Sequence, residues 1–397
     1  MTEPGKAAPA APGRAMPLAD PRFRSIFFQT VLIVTVLAAG YVAVINADAN
    51  LRAQRIATGL GFLDHPAGFG INQTLIAYSE ADSYGRVFVV GLLNTLLVSV
   101  IGIVLATIVG FVVGIARLSS NWLIARAAGA YVEVMRNLPL LFQILFWYLA
   151  VLGTLPSPRQ SLSIADSIFI SNRGIIVPSF AFGDGAEIVL AALMLGIGAT
   201  AALGMLSRHR RRATGRPLTL WWAAVLLLVG LPLAVLAATD FPIGIERPVL
   251  RGFNFVGGVR MLPEFAALLI ALVTYTGAFI AEIVRAGILS VHRSQTEAAY
   301  ALGLTRGLAL RLIVVPQALR LIVPPLTSQY LNLTKNSSLA VAIGYPDLFA
   351  VFAGTTLNQT GQAIEIIAIT MAIYLLLSLT TSALMNWYNA RMRLAER

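Results

Sequence analysis

Long apolar stretches separated by shorter polar segments dominate the chain. A helix needs roughly 20 apolar residues to cross a hydrocarbon core of about 30 Å, and most of the stretches reach that length. The pattern therefore predicts an all-α integral membrane protein with about eight transmembrane helices. The predicted spans are 25–46, 87–115, 138–153, 188–206, 218–239, 265–288, 321–345 and 363–387.

One polar, basic segment between two of these spans has a pattern of its own, QTEAAYALGLTRGLALRLIVVP at 295–316. Residues 294–297 fit S-x-x-E, a capping box that starts a helix. Gly303 lies where a helix would end in a left-handed residue. Thr305 can cap a second helix, and Pro316 is expected to stop it because proline lacks an N–H. The segment predicts a protruding helix–glycine–helix knob that docks with another molecule.

Composition supports a membrane protein, since 57% of the residues are hydrophobic and 12% are charged. The net charge is +11, and the basic segment at 207–216 could suggest nucleic acid. Membrane topology explains the charge better, because Lys and Arg collect in cytoplasmic loops. Most Lys and Arg lie on the side of the 295–316 segment. We therefore expect that segment and both termini to be cytoplasmic, and we expect no nucleic-acid partner.

The sequence lacks the motifs of the common membrane-associated enzymes. It has no cysteine, and His65, His209 and His292 lie too far apart for metal-ligand spacing. No G-x-x-x-x-G-K-[ST], G-x-S-x-G or H-E-x-x-H occurs. We expect no catalytic residue, no metal and no cofactor. If ATP drives this protein, another subunit binds it.

Several polar residues lie within predicted spans. Gln143 could line a pathway or hydrogen-bond a neighbouring helix. Lys335 follows Pro325 by about ten residues, roughly 15 Å along a helix and near mid-bilayer, where lysine must face the bundle interior, a wet cavity or a partner. A pair of prolines before it and the KNSS sequence around it suggest an interrupted helix; a pathway or interface role stands beside a purely structural break. The pathway candidates are Gln143, Lys335, Asn336 and Ser337.

Two pairs of opposite charges are spaced three residues apart and are expected to stabilise helix ends. Glu133 and Arg136 form the first pair, and a substrate role is its alternative. Glu282 and Arg285 form the second, and they are expected to fix the helix that enters the knob.

The 295–316 segment also resembles the cytoplasmic loop of ATP-binding-cassette (ABC) importer permeases, written EAA, three residues, G, nine residues, I-x-L-P. Val315 replaces the leucine and keeps the position apolar. In that family the loop is a coupling helix that docks on the ATPase subunit. The residues that carry the match are Glu297, Ala298, Ala299, Gly303, Ile313 and Pro316.

Four further stretches are similar to permeases for polar amino acids: 91–96, 136–143, 278–288 and 333–339. Asn336 replaces an aspartate of the family pattern, and Asn137-Leu138 replaces Gly-Thr. The resemblance covers about 86–397 except 154–262. The first span, its long loop and the 154–262 insertion resemble the Q-type subunit of the general L-amino-acid transporter.

This resemblance implies a type I permease core of five helices, in an amino-acid importer of the bacterial inner membrane. It implies a second permease in a heterodimer, a cytoplasmic ATPase dimer, a periplasmic amino-acid-binding protein and lipid as partners. An ion-coupled secondary transporter that uses Lys335 is the alternative. The predicted segments are a disordered tail (1–24), a first span (25–46), a periplasmic loop (47–86), the first part of the core (87–153), an insertion with two spans (154–262), the rest of the core (263–390) with the coupling loop (290–320), and a cytoplasmic tail (391–397).

Overall fold

The computed structural model describes residues 21–53, 58–183, 185–214, 221–239 and 243–392. In these residues seven helical segments are long and apolar enough to cross a membrane, and the number is eight if a bent pair counts as one span. The predicted all-α membrane class is thereby confirmed. Of the predicted tails 1–24 and 391–397, residues 1–20 and 393–397 lie outside the described residues, whereas 21–24 and 391–392 belong to helices.

The described part of the chain contains thirteen α-helices. They are α1 (Pro21–Ala53), α2 (Tyr84–Ala116), α3 (Trp122–Asn137), α4 (Leu140–Leu145), α5 (Ala186–Thr214), α6 (Trp221–Val225), α7 (Leu231–Ala238), α8 (Pro263–Leu289), α9 (Arg293–Ala301), α10 (Arg306–Ala309), α11 (Val315–Asn336), α12 (Leu357–Thr360) and α13 (Ala363–Met392). Turns of π-helix extend α4, join α6 to α7 and α10 to α11, and precede α12; they are Phe146–Leu152, Leu226–Gly230, Leu310–Val314 and Phe349–Thr356. Turns of 3-10 helix lie at Gly61–Asp64, Pro158–Gln160 and Ser337–Ile343.

The core of the molecule is built around α8. In its most apolar window 67% of the residues are buried, against 28% for α2. Glycines bring α2 and α8 close together: a Cβ on Gly110 would lie 2.4 Å from Ile280, and one on Gly114 would lie 2.8 Å from the Ala281 carbonyl oxygen. Small residues permit this backbone approach between membrane helices.

Two membrane-length elements pack little against this core. The span in α1 is 0% buried, and so is the α6–α7 segment. The latter pairs with α5 instead, where a Cβ on Gly196 would lie 2.2 Å from the Leu227 carbonyl oxygen. The two predicted spans of the 154–262 insertion thus form a helical hairpin.

The polar loops on either side of this hairpin contain eight short β-strands, which the sequence reading missed. Isoleucine-rich runs around the Asn172–Gly174 turn are the signal that could have revealed the first hairpin. The central antiparallel sheet has the order β1-β2-β3-β8, and β3 pairs with β8 through Ile176 and Arg260. The strands are β1 (Leu162–Ile164), β2 (Ile168–Ser171), β3 (Gly174–Val177), β4 (Ser179–Phe182), β5 (Ile243–Glu246), β6 (Val249–Arg251), β7 (Asn254–Val256) and β8 (Val259–Met261).

Three predicted element boundaries are wrong. The third span does not begin at 138, because α3 and the helix at Leu140–Leu152 form one broken element bent by 107° at Leu138-Pro139. The segment 207–214 is not a loop but the last part of α5. The helix predicted at 321–345 already begins at Arg306 and is continuous to Ile343.

Candidate functional site

The knob is present, but its first helix starts two residues earlier than the capping box implied. Helix α9 begins at Arg293 with His292 as its N-cap residue, and no side chain caps it. Ser294 lies inside the first turn, where its hydroxyl contacts His292 Nδ1 at 3.0 Å. The predicted serine cap is therefore wrong, because the extended backbone that an N-cap needs falls on His292.

Gly303 ends α9 as predicted, with φ of +78°. The Gly303 N–H donates to the Tyr300 carbonyl at 2.9 Å, and the Leu304 N–H donates to the Ala299 carbonyl at 3.1 Å. These two bonds form a Schellman motif, which requires the left-handed conformation. Thr305 then occupies the N-cap position of α10, again without a side-chain bond.

Pro316 does not stop the second helix, contrary to the prediction. It lies in the first turn of α11, directly after the π-turn Leu310–Val314. A π-turn shifts the hydrogen-bond register, and a proline in a first turn lacks only a donor that is unpaired there anyway. Pro324 and Pro325 likewise lie inside α11 without ending it. The knob is therefore continuous with the membrane span that follows it.

The residues predicted to couple divide between the buried and the exposed parts of the knob. Ala299 is buried, and so is Ala309 on α10. Glu297, Ala298 and Gly303 are exposed, whereas Ile313 and Pro316 are half-buried. Leu302 at the tip is 82% exposed. The side chain of Gln317 on α11 donates to that of Gln295 and ties the start of the knob to the span.

A cluster of charges lies at the same end of the molecule as the knob. The Glu282 carboxylate on α8 accepts from Arg117 at the end of α2 and from Arg285, whose Nη2 lies 2.7 Å from Glu282 Oε1. Arg136 on α3 lies 3.9 Å from the same carboxylate and its guanidinium covers the ring of Phe279 at 5.1 Å. The predicted Glu282–Arg285 pair is present, but Arg136 approaches Glu282 rather than Glu133, since α3 turns it towards α8.

Gln143 stabilises the bend between α3 and α4. Its amide nitrogen donates to the carbonyl oxygens of Met135 at 3.0 Å and Leu138 at 3.1 Å. These carbonyls lie at the end of α3, where no further helical turn supplies a donor. The side chain is buried, and its Oε1 has no partner in the described structure. Of the two predicted roles, the structure shows a hydrogen bond between helices.

Lys335 lies in the last turn of α11, roughly 30 Å from Val315 by the rise of an α-helix. Leu333, two residues earlier, lies against Gly102 in the middle of α2, so Lys335 lies near the middle of the helix bundle. It lines an opening of about 390 Å³ together with Ser338, Phe349 and Tyr374.

The residues after Lys335 continue as 3-10 helix, so the predicted interruption is a change of helix type at Asn336. Asn336 is half-buried. Ser337 is fully buried, and its hydroxyl donates to the Thr334 carbonyl at 2.8 Å.

A buried polar cluster, which the sequence reading did not find, anchors the turn that follows this 3-10 helix. Asn94 on α2 donates to the carbonyls of Pro346 at 2.8 Å and Gln73 at 2.9 Å. Thr95 accepts from the Leu348 N–H at 3.0 Å. The stretch 91–96 was recognised only by resemblance, and this cluster is its physical role.

Asp347 is the acidic group of this cluster. Its carboxylate accepts from the Ala350 N–H at 2.8 Å and from the Tyr374 hydroxyl at 3.2 Å. It lies in the turn between two spans, and burial raises the pKa of this carboxyl to about 7. Among the described residues, no group of three or more His, Cys, Asp or Glu side chains could hold a metal ion.

These features define a multi-pass membrane protein with an exposed knob, and comparison with known proteins gives the family. The family described as "Binding-protein-dependent transport system inner membrane component" matches residues 102–394. The chain belongs to this family of transport permeases.

Relatives match along nearly the whole chain. The putative amino-acid ABC transporter permease protein YhdX of Escherichia coli is 50% identical over 383 residues, 96% of this chain and 98% of its own. The general L-amino acid transport system permease protein AapQ of Rhizobium johnstonii is 51% identical over 378 residues, 95% of this chain and 94% of its own. Matches of this length include most of the 154–262 insertion. The resemblance read from the sequence is confirmed.

Proposed function

We propose that this chain is the permease subunit of an ABC importer for amino acids, and that it couples to a separate ATPase through the 295–316 loop. The printed names of YhdX and AapQ support the amino-acid class. The observation that carries the coupling role is the knob itself. Leu302, 82% exposed, and Tyr300, 46% exposed, form an apolar tip, and exposed apolar surface of this kind marks contact sites.

The proposed transporter needs several partners. Its sequence contains no P-loop, so ATP is bound by the partner ATPase dimer and the chain itself carries no cofactor. A second, related permease completes the pathway as a heterodimer. A periplasmic amino-acid-binding protein delivers the substrate, and lipid surrounds the spans.

The charge distribution supports the orientation that this proposal requires. The knob carries Arg293, Arg306 and Arg311, and the nearby ends of α2 and α8 carry Arg117 and Arg285. Basic residues at span ends favour the cytoplasmic side. With eight spans, both termini then lie in the cytoplasm, and the β-strands of the insertion lie in the periplasm.

The knob can transmit movement in two directions. Through the π-turn it continues into α11, which carries Lys335 in its last turn. Through the three-residue connection 290–292 it continues from α8, where Glu282 links three helices. Closure of the ATPases would move the knob and rock these helices about the pathway. Such coupling requires that the ATPases contact the knob differently in their two states.

The predicted pathway residues have different roles in this proposal. Lys335 lines an opening and is the side chain that a substrate or the partner permease would contact. Gln143 stabilises the bend between α3 and α4, and Asn336 and Ser337 lie where α11 changes to 3-10 helix.

The test is Gly303→Asp in the complete transporter. A side chain at a positive φ costs about 1–2 kcal/mol and would distort the Schellman turn. We expect the complex to insert and assemble but to lose at least about tenfold in substrate-stimulated ATP hydrolysis.

Gly68→Asp is the matched control. Gly68 has φ of +70° and open space around it, as Gly303 does, but lies in the loop before α2. Normal stimulation in both variants would refute coupling through the knob.

A further inference from the structure

A charged cavity lies at the end of the molecule opposite the knob. It has a volume of about 700 Å³, which is within the range of about 300–1,000 Å³ typical of small-ligand sites. Three parts of the fold meet there: the end of the broken helix at Tyr148–Gly153, the start of α8, and the sheet β1-β2-β3-β8. Since α8 has 27 residues, the cavity is about 40 Å from the knob.

Two arginines of the sheet line this cavity. Arg260 on β8 donates through Nε to the Arg173 carbonyl at 3.0 Å, which fixes the two residues side by side. Arg173 donates to the Asn254 side chain. Neither guanidinium pairs with a carboxylate among the described residues. Most of their N–H donors remain available, and two like charges are held together in a position that favours an anion.

One carboxylate also lines the cavity. Glu264 lies in the first turn of α8, where the helix dipole stabilises negative charge. The Tyr148 hydroxyl donates to its Oε1 at 3.1 Å and orients the group, which forms no ion pair in the described part of the chain. Leu149, Leu262 and Pro263 add apolar surface to the lining.

From this arrangement we infer a binding site for a free α-amino acid. The α-carboxylate binds Arg173 and Arg260, the ammonium group binds Glu264, and the substrate side chain lies against the apolar wall. A guanidinium pair matches a carboxylate in geometry as well as charge. The inference rests on the proposed import function, for which the cavity would be a receiving site on the outer side, separate from the opening at Lys335.

Direct binding tests the site. The intact complex of permeases and ATPase is purified in lipid nanodiscs without the binding protein, which would itself bind the probe. L-glutamine is the probe because its side chain is uncharged. We expect saturable binding to the wild type, and a dissociation constant raised at least about tenfold in the R173Q/R260Q double variant, since hydrogen bonds to charged groups are lost. Arg251→Gln, an exposed arginine on β6 outside the cavity, should leave the constant unchanged.

A second ligand isolates the role of Glu264. N-acetyl-L-glutamine lacks the ammonium group but keeps the carboxylate. Glu264→Gln should weaken L-glutamine binding about tenfold and leave N-acetyl-L-glutamine binding unchanged. Equal weakening of both ligands, absence of binding to the wild type, or normal binding to the double variant would overturn the site.

Uptake into vesicles separates this inference from the proposed function. If the wild type shows ATP-driven, binding-protein-dependent uptake while glutamine binding fails these criteria, only the receiving site is refuted. If the wild type shows no such uptake of any amino acid, the proposed function itself fails.

Discussion

The Asn94 side-chain amide donates a hydrogen bond of 2.8 Å to the carbonyl oxygen of Pro346. This contact joins α2 to the turn that follows the 3-10 helix beyond Lys335. Both partners are buried, and the same amide also donates to the Gln73 carbonyl in the loop before α2. One side chain thus connects a span, a loop and a turn.

Asn94→Ala should destabilise this region. The buried Pro346 carbonyl and the half-buried Gln73 carbonyl would lose their donor, and a buried group left unsatisfied costs about 1–3 kcal/mol. We expect the apparent melting temperature of the purified complex to fall by several degrees. Asn50→Ala, an exposed change on α1, should leave it unaltered. Similar melting temperatures in both variants would show that the cluster contributes little.

Gly110→Leu should separate α2 from α8. Even a Cβ at this position would lie 2.4 Å from Ile280, so a larger side chain has no space without helix movement. Overpacking a core costs about 1–3 kcal/mol or more. Thermal unfolding and yield of folded protein measure the effect. Gly40→Leu on α1 has nothing within 4 Å and is the matched control, expected to fold normally.

Glu282→Gln should loosen the ends of α2, α3 and α8. The change leaves the arginines Arg117, Arg136 and Arg285 close together without their shared carboxylate. Side-chain exposure of 27% for Glu282 limits the loss to about 1–2 kcal/mol.

We expect stimulated ATP hydrolysis to fall more than basal hydrolysis in this variant, because the cluster holds the end of α8, the helix that leads into the knob. Glu133→Gln, at an exposed position of α3, should preserve the ratio of stimulated to basal rates. An unchanged ratio in Glu282→Gln would exclude the cluster from coupling.

Asp347 should make stability depend on pH. Its folded-state pKa is about 7, whereas an unfolded aspartate titrates near 3.9. Between about pH 4 and pH 7 the unfolded state therefore binds fewer protons, so stability falls as pH rises and then levels off. We expect melting temperatures to decrease across this window by an amount equivalent to about 1 kcal/mol or more.

Asp347→Asn should abolish this part of the pH dependence, because asparagine does not titrate. Asp64→Asn, an exposed change in the loop before α2, should keep the wild-type slope. A slope that persists in Asp347→Asn would assign the dependence to another group.

Local patterns in the sequence predict the spans and the knob, because both depend on neighbouring residues. The length of an apolar stretch predicts a span. A glycine directly after a helical run predicts the left-handed turn at Gly303. The bend of 107° depends instead on Gln143 reaching back to Met135 and Leu138. Helix propensities of single residues cannot predict that contact.

Contacts between distant segments could not be predicted from the sequence. Glu282 meets Arg117 from a different span, and β3 pairs with β8 across the inserted helical hairpin. Pro316 shows a different limit of sequence-based prediction. A proline normally interrupts a helix, but the π-turn before Pro316 lets the helix continue. The charged cavity combines all these effects, because its walls come from a broken helix, a sheet and a helix start.

Helix α8 is uninterrupted along its 27 residues, as α2 is along its 33. The α3–α4 element is broken, and α11 is joined to the knob through a π-turn. A straight helix of about 40 Å behaves as a stiff rod, so a tilt of about 10° at one end displaces the other by roughly 7 Å. The knob and the charged cavity sit on the two ends of this rod. Any rotation that the ATPases impose would therefore change the width of the cavity in the same movement.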